Sequence, residues 1–451
     1  MKKIYFIGIN GIGMSGLAKI MKNKNYDVAG ADIQRSYVTE EMEKMQIKVF
    51  KEHKSEQVCD CDMVIASSAI REQNPEYQYA KNNNIKILKR GELLAMLLNE
   101  EEGIAVAGTH GKTTTTSMIS STMLSLDPTI VIGGILPEIG SNSKVGKSKY
   151  FIAEADESDK SFLFMHPKYS IITNIEEDHI ENYGDLESIK KSFSKFIDQT
   201  QEEAIVCIDG ENIPEIIKDK TSPKITTYSV HNTKADIYTK NILIENGCTS
   251  YDVIIGGKSI ENFCLCIPGE HNIANSLPVI YLSYKFGVSP EKIKETLAHF
   301  KGSKRRYDIL FHDKNKEIKI IDDYAHHPTE INATLNGAKS IEKGDITVIF
   351  QPHRYSRVKF LLDNFKNSFD NATEVLLLPI YSAGEKNSFG ITLDDLKNKI
   401  SNKNVKIEED INNIEKYILN CDKNKVFIFM GAGDISKIAH NISEKLERKR
   451  A

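Results

Sequence analysis

The chain has 451 residues, 40% hydrophobic and 27% charged, with a formal net charge of −4. That length suits about three ordinary domains, each able to bury a core. The charge balance leaves no electrostatic footprint for nucleic acid, and no apolar run is long enough to span a membrane, so neither is expected as a partner. The opening residues read as a strand rather than a leader, because glycines interrupt their apolar run. Seven cysteines are scattered along the chain, and neither Cys59-Asp-Cys61 nor Cys264-Leu-Cys266 has the C-x2-C spacing of a zinc site. Reduced thiols, a fold without disulfides and a cytoplasmic location are therefore expected.

The first unit, residues 1–99, opens with apolar strand Ile4-Tyr-Phe-Ile7, a glycine turn, a helix from Met14 to Met21 and a second strand at Asp27-Val-Ala-Gly30. This is a βαβ opening. Gly11-Ile-Gly13-Met-Ser-Gly16 matches the dinucleotide fingerprint, and Asp32 lies about 20 residues on, where an acid can meet a ribose. The same glycines also serve another phosphate ligand or tight strand-helix packing, and the pattern alone does not choose. A later strand, Met63-Val-Ile-Ala66, runs into Ser67-Ser68, placing hydroxyls at a strand's C-terminal end, where open α/β sheets bind ligands. A capped turn is the plainer reading of those serines.

The second unit, residues 100–302, begins at the most informative segment of the chain. Apolar Ile104-Ala-Val-Ala107 leads into Gly108-Thr-His-Gly111 and then Lys112-Thr113-Thr114 at a helix start. Backbone N–H groups at a helix N-terminus favour an anion, Lys112 adds a mobile charge, and the Thr113 hydroxyl can hold Mg²⁺ beside a nucleotide's phosphates. The loop is shorter than GxxxxGK[ST], because Val106 stands in place of the first glycine. Strand Tyr150-Phe-Ile-Ala153 ends in Glu154-Ala-Asp156-Glu157-Ser-Asp159, four carboxylates that a cation would relieve. A further strand, Ser170 to Asn174, ends in Asp178-His179. Alternating strands and helices with polar groups at strand ends describe a doubly wound ATPase core. Residues 225 to 267 read as a small antiparallel addition.

The third unit, residues 303–451, repeats the alternation, with strands at Glu317–Ile321, Ile346–Phe350, Glu374–Leu378 and Lys425–Phe429. Each is followed by polar or glycine-rich residues: Asp322-Asp323-Tyr324-Ala-His326-His327, Gln351-Pro-His353-Arg354-Tyr-Ser-Arg357, Tyr381-Ser-Ala-Gly-Glu385 and Gly431-Ala-Gly433-Asp434. These ends are expected to share one face. Two arginines near histidines suit a carboxylate or phosphate, whose oxygens match the guanidinium fork. Zinc on His326, His327 and His353 is the competing reading, against which stands the absence of an i, i+4 histidine pair.

Taken in order, Gly11 to Gly16, Gly108-Thr-His-Gly-Lys-Thr113, Glu154-Ala-Asp-Glu-Ser-Asp159, Gly269-Glu-His271-Asn272-Ile-Ala-Asn275, Arg305-Arg306, Asp323-Tyr-Ala-His-His-Pro328, Gln351 to Arg357 and Met430-Gly-Ala-Gly-Asp-Ile435 resemble the Mur ligase family along nearly the whole chain. The resemblance implies three α/β domains: an N-terminal Rossmann-like UDP-binding domain, a central P-loop ATPase-like domain and a C-terminal Rossmann-like domain. It implies an amide ligase that joins L-alanine to the lactyl carboxylate of UDP-N-acetylmuramate, converting ATP to ADP and phosphate through an acyl phosphate. Mg²⁺ is the implied cofactor, with Mn²⁺ able to substitute, and a monomer or homodimer the implied state.

On matching positions, Gly11, Ile12, Gly13, Asp32, Ser67 and Ser68 would hold the UDP-sugar. The loop from Gly108 through Thr109, His110, Gly111, Lys112, Thr113 and Thr114 would hold ATP together with Asn272, Arg306 and Asp323. Thr113, Glu154 and His179 would hold metal. Lys112, His179, His326, Arg354 and Arg357 would form the catalytic set, with Lys112 on the transferring phosphoryl group and the arginines as carboxylate clamps. Where relatives carry a modified lysine about fifteen residues beyond the Asp-His pair, this chain has Ser194, so no lysine carbamylation is expected. The nearest rival reading is a Mur-type ligase that recycles a preformed tripeptide. A rival of another class, an NAD-dependent dehydrogenase, leaves Lys112, Glu154 and His179 unexplained.

Overall fold

The computed structural model describes residues 2–35, 37–67, 69–245, 247–421 and 423–450. The chain forms two compact units, residues 1–237 with 278–289, and residues 238–277 with 290–451.

The first unit contains two sheets. In the N-terminal one, five parallel strands stand in the order Lys48–Phe50, Asp27–Ala31, Lys3–Ile7, Met63–Ala66 and Lys86–Lys89. The chain order reverses between Lys3–Ile7 and Met63–Ala66, which opens a crevice at their C-terminal ends. Both the glycine turn and Ser67 leave from those two strands. Helix Ile12–Asn23 crosses close to the central sheet, since a side chain at Gly16 would come within 3.0 Å of Ser143. One of the three fingerprint glycines therefore serves packing.

Seven strands of the central sheet follow in the order Lys224–Ser229, Glu203–Cys207, Tyr169–Ile172, Glu102–Ala107, Tyr150–Glu154, Thr129–Leu136 and Ser141–Lys144, antiparallel at the last pair alone. Ile104, Ala105, Val106 and Ala107 are fully buried. An apolar run without alternation is what a strand covered on both faces requires. Helix Leu186–Asp198 buries Ile189, Phe193, Phe196 and Ile197 at helical spacing after Asp185 caps its start, with Phe193 and Phe196 packed on Phe162.

In the second unit, strands Ile237–Glu245, Cys248–Ile255 and Lys258–Leu265 lie side by side as a ribbon. The antiparallel addition thus starts later than expected, because Lys224–Ser229 pairs in parallel with Glu203–Cys207. The expectation of a fold without disulfides is also corrected: Cys248 and Cys266 are bonded. Thr249 stands opposite Leu265 across the ribbon, which puts these cysteines directly opposite each other, a juxtaposition that linear spacing does not reveal. Cys59, Cys61, Cys207, Cys264 and Cys421 form no disulfide.

The C-terminal sheet runs Asp308–Asp313, Ile318–Asp323, Lys425–Met430, Asp345–Phe350, Glu374–Leu377 and Val405–Ile407, parallel except for its first strand. Ile321, Val348, Phe350, Ile428 and Met430 join one core cluster, while Ile320, Ile349, Phe427 and Phe429 join another. Alternate residues of the same strands thus face opposite cores, as the pleat dictates. Asp323, Met430 and Phe350 share a register level, so the polar segments after these strands emerge on one face as expected. No helix among the described residues is long and apolar enough to cross a membrane.

Glu203 ties strand to helix in the first unit. It is 1% exposed and accepts hydrogen bonds from Thr226, Lys285 and Tyr281, with Lys224 2.7 Å away. Burial disfavours its charge, but these donors prevail and pull its pKa down to about 2. A depressed carboxyl pKa stabilises the fold above the unfolded-state value and loses that stabilisation as pH falls toward the folded one. Glu203→Gln is therefore expected to cost about 2–3 kcal/mol at neutral pH. Chemical denaturation should show this difference narrowing below about pH 4.5; an equal difference at pH 7 and pH 3.5 would contradict the assignment.

Candidate active site

At the first crevice, Gly8 turns with φ +80°, and a side chain there would lie 3.1 Å from Ser67 Cβ, so the glycine loop and Ser67 are adjacent. Ile12 is 51% exposed at the start of its helix, and its carbonyl accepts from Asn142 Nδ2 at 2.9 Å. Asp32 braces the loop, accepting from the backbone N–H groups of Asn10 and Gln34 at 3.0 Å each. Arg90 packs across Gly13, its Cδ 2.9 Å from where a Cβ would be, and lies 3.4 Å from Asp156. Ser68 lies outside the described residues.

The second loop leaves the central sheet between two other strand ends, with Val106 beside Glu154 and Ala107 beside Ile172. Gly108 has φ +140°, and a Cβ there would fall 2.0 Å from Thr173 Oγ1, so only glycine fits. Gly111, at φ +83°, starts helix Lys112–Thr122 from the left-handed region. Thr109 N–H donates to the Asn174 carbonyl and His110 N–H to Asn174 Oδ1, at 3.1 and 2.8 Å. Thr173 Oγ1 and Asn174 Nδ2 both donate to the His110 carbonyl. Asn174 therefore fixes the loop from both sides. Two of the N–H groups expected to face an anion are engaged by it, which leaves the helix start from Gly111 through Thr114 as the anion-facing edge.

Lys112 folds back over its loop, donating to the carbonyls of Gly108 and Thr109 at 2.6 and 3.0 Å and to Glu157 Oε1 at 2.9 Å. Burial works against its charge, but Glu157 and Asp156 outweigh that and keep the ammonium protonated. Asp156 is likewise opposed by burial and held below the usual carboxyl range by Lys112, Ser158 and Arg90. His179 adopts φ +54°, and its Nε2 stands 3.5 Å from Asp178 Oδ2 and 3.9 Å from Glu157 Oε1. Glu154 accepts from Gly133 N–H at 3.0 Å. Carboxylate oxygens and an imidazole are donor types that suit a hard divalent cation, and Asp178 and Glu157 flank the His179 ring. The sequence pointed to Glu154 and His179; the structure adds Glu157 and Asp178 beside the histidine. Glu157 was visible in the acidic cluster, but nothing in the linear order ranked it above its neighbours.

In the second unit, Asn272 is spent within its own turn, donating to the Pro268 carbonyl at 2.7 Å. Asp323 is buried and accepts from Tyr307 and Ala325 N–H groups at 2.8 Å each. Burial pushes its pKa up to about 6 against the pull of Arg306. The guanidiniums of Arg305 and Arg306 lie 4.8 and 5.0 Å from the Tyr324 ring centre. His327 accepts from Thr329 N–H and caps its helix, which gives it a structural role.

His326 packs edge-on against Tyr324 and His353, whose ring stacks on Tyr381 at 5.5 Å. Arg357 Nη1 lies 3.4 Å from His353 Nδ1. Burial, then Arg357 and Arg354, lower the His353 pKa to about 4, so this imidazole is neutral near pH 7. His326, Arg354 and Arg357 are thus gathered in one polar wall after strands Ile318–Asp323 and Asp345–Phe350, which flank Lys425–Met430.

Comparison with known proteins matches three family models in chain order: Mur ligase family, catalytic domain, over residues 3–102; Mur ligase middle domain, over 106–283; and Mur ligase, glutamate ligase domain, over 305–433. A UDP-N-acetylmuramate–L-alanine ligase from Fusobacterium nucleatum is 61% identical over 456 aligned positions, covering 99% of this chain and 97% of the relative. One from Acetivibrio thermocellus is 42% identical, covering 97% and 94%. Among solved structures, a UDP-N-acetylmuramate-alanine ligase from Thermotoga maritima superposes with a TM-score of 0.82 at 32% identity, covering all of both chains. A murein peptide ligase from Psychrobacter arcticus shares the fold, with a TM-score of 0.71 at 23% identity over 99% of each chain. The three α/β domains, their order and full-length identity to these ligases establish that this chain belongs to the Mur ligase family.

Proposed function

We propose that this chain joins L-alanine to the lactyl carboxylate of UDP-N-acetylmuramate, converting ATP to ADP and phosphate, as a cytoplasmic step of peptidoglycan precursor synthesis. The observation that carries this reading is the 61% identity, end to end, with a relative bearing that activity in its name.

A carboxylate is a poor electrophile. Attack of its oxygen on the γ-phosphorus of ATP gives an acyl phosphate and ADP; the neutral amine of alanine then adds to the carbonyl, and phosphate leaves the tetrahedral intermediate. The protein's part is to orient the groups and offset developing charge. Lys112, at the mouth of the Gly108–Gly111 turn, exchanges its loop carbonyls for the transferring phosphoryl oxygens. Thr113, Glu154 and His179, with Glu157 and Asp178 close by, hold Mg²⁺, which when bound screens the phosphate charge. Thr109, His110 and Thr114 complete the nucleotide loop. Gly11, Ile12, Gly13, Ser67 and Ser68 receive the UDP-sugar, and Asp32 supports that loop from behind. Arg354 and Arg357 clamp the carboxylate of alanine, and His326 orients its amine.

With ATP and Mg²⁺ present, phosphate release is expected to require both UDP-N-acetylmuramate and L-alanine, and mass spectrometry should find a product one alanine residue heavier. Release only with L-Ala-γ-D-Glu-meso-diaminopimelate would instead make this a tripeptide-recycling ligase. Lys112→Ala is expected to lower turnover about 1,000-fold or more, as losing a charge on the transferring group does. UDP-N-acetylmuramate affinity, measured by calorimetry, should stay within about two-fold. Near-normal turnover by that variant would remove Lys112 from phosphoryl transfer.

A further inference from the structure

The segment Tyr381-Ser-Ala-Gly-Glu385 follows strand Glu374–Leu377 and has no part in the reaction above, yet it closes tightly on the arginines. Tyr381 N–H donates to the Pro352 carbonyl, and Arg354 N–H to the Tyr381 carbonyl, both at 2.8 Å, so the two loops run side by side. Ala383 and Gly384 then turn through the left-handed region, at φ +49° and +84°. Glu385 N–H bonds back to the Ser382 carbonyl at 2.9 Å. This double turn aims the Glu385 side chain at the start of helix Tyr355–Phe360. Its Oε1 accepts from Arg354 Nε at 2.5 Å and from Ser356 Oγ at 2.7 Å, and its Oε2 accepts from Ser356 N–H at 3.0 Å.

Two features of Arg354 make those bonds necessary. Its backbone sits at φ +69°, ψ 131°, a conformation that costs a bulky L-residue about 1–3 kcal/mol and persists only where surrounding contacts impose it. It is also the residue preceding a helix that receives no cap from its own side chain. Glu385 answers both: one oxygen caps the second helical N–H, the other takes the guanidinium at its inner nitrogen. Strained backbone held by a dedicated carboxylate marks a side chain whose direction matters.

We infer that Glu385 is a positioning residue for the amino-acid substrate, holding the Arg354 guanidinium and the first turn of the Arg357 helix in the arrangement that receives the substrate's carboxylate. The inference rests on the assignment of Arg354 to that carboxylate. Glu385 touches no reacting atom; its effect passes through Arg354.

The test uses full-length enzyme with ATP, Mg²⁺ and UDP-N-acetylmuramate, measuring KM for each substrate. Glu385→Ala is expected to raise KM for L-alanine about ten-fold or more, with KM for ATP and UDP-N-acetylmuramate within about two-fold and kcat within about three-fold. Glu385→Gln, which keeps the shape and an acceptor for Ser356 N–H but not the charge, is expected to show a smaller rise, and it carries the test if the alanine variant fails to fold. A general loss of structure would move all three KM values or the active fraction; that outcome overturns the proposal. Arg354→Lys separates the premises, because it keeps the charge and loses the planar fork. A rise in KM for alanine with Arg354→Lys but not with the Glu385 variants removes the positioning role alone. No rise with Arg354→Lys removes the carboxylate assignment and the proposal with it.

Discussion

A part-buried ammonium group organises the central domain. Lys112 lies within hydrogen-bond distance of two loop carbonyls and Glu157, and placing such a charge out of water without partners would cost several kcal/mol. Its neighbours are accordingly specified: Gly108 because no side chain fits against Thr173, Asn174 because it holds the loop from both sides, Glu157 because the charge requires a counterion. Phosphate oxygens are the natural replacement for those carbonyls. A lysine held charged and preorganised needs little rearrangement when the anion arrives, which is the condition under which electrostatic stabilisation serves catalysis.

The three binding regions share one geometric origin. In a parallel sheet every strand ends on the same side, so the segments that follow are collected without a dedicated scaffold. Val106 beside Glu154 and Ala107 beside Ile172 set the phosphate loop between the acidic loop and the Asp178-His179 loop. Asp323, Met430 and Phe350, level with one another, do the same for the imidazole and arginine wall. Glycines sit where side chains would block this crowding: Gly8 against Ser67, Gly108 against Thr173, Gly433 against Tyr381.

Charge is treated differently in the two units. Around Lys112, the ammonium and Asp156 hold their charges against burial by mutual attraction, while burial pushes the Glu157 carboxyl up. Around His353, burial and two guanidiniums keep the imidazole neutral, so the arginines stand without a third positive charge among them. A neutral histidine stacked on Tyr381 offers a flat wall rather than a competing site for an anion. Glu385 offsets one of the two guanidiniums.

Much of this was legible in one dimension. Apolar runs of four to six residues bounded by glycine or acid defined the parallel strands, because a strand buried on both faces needs no alternation. Lys112-Thr113 after a glycine turn, and the His326 and Arg354 segments after their strands, marked the ligand-binding ends for the same local reason. What the order of residues could not decide was anything set by contact across the fold. Cys248 and Cys266 meet through ribbon register; Asp32 turned inward to brace a loop; Asn272 was absorbed by its own turn. Glu157 rather than a neighbouring acid reached Lys112, and Glu385 reached Arg354 from a different strand. Local chemistry and periodicity determine which segments can bind, since both act over a few residues. Which carboxylate meets which cation depends on distances between strands far apart in sequence, and only tertiary packing decides those.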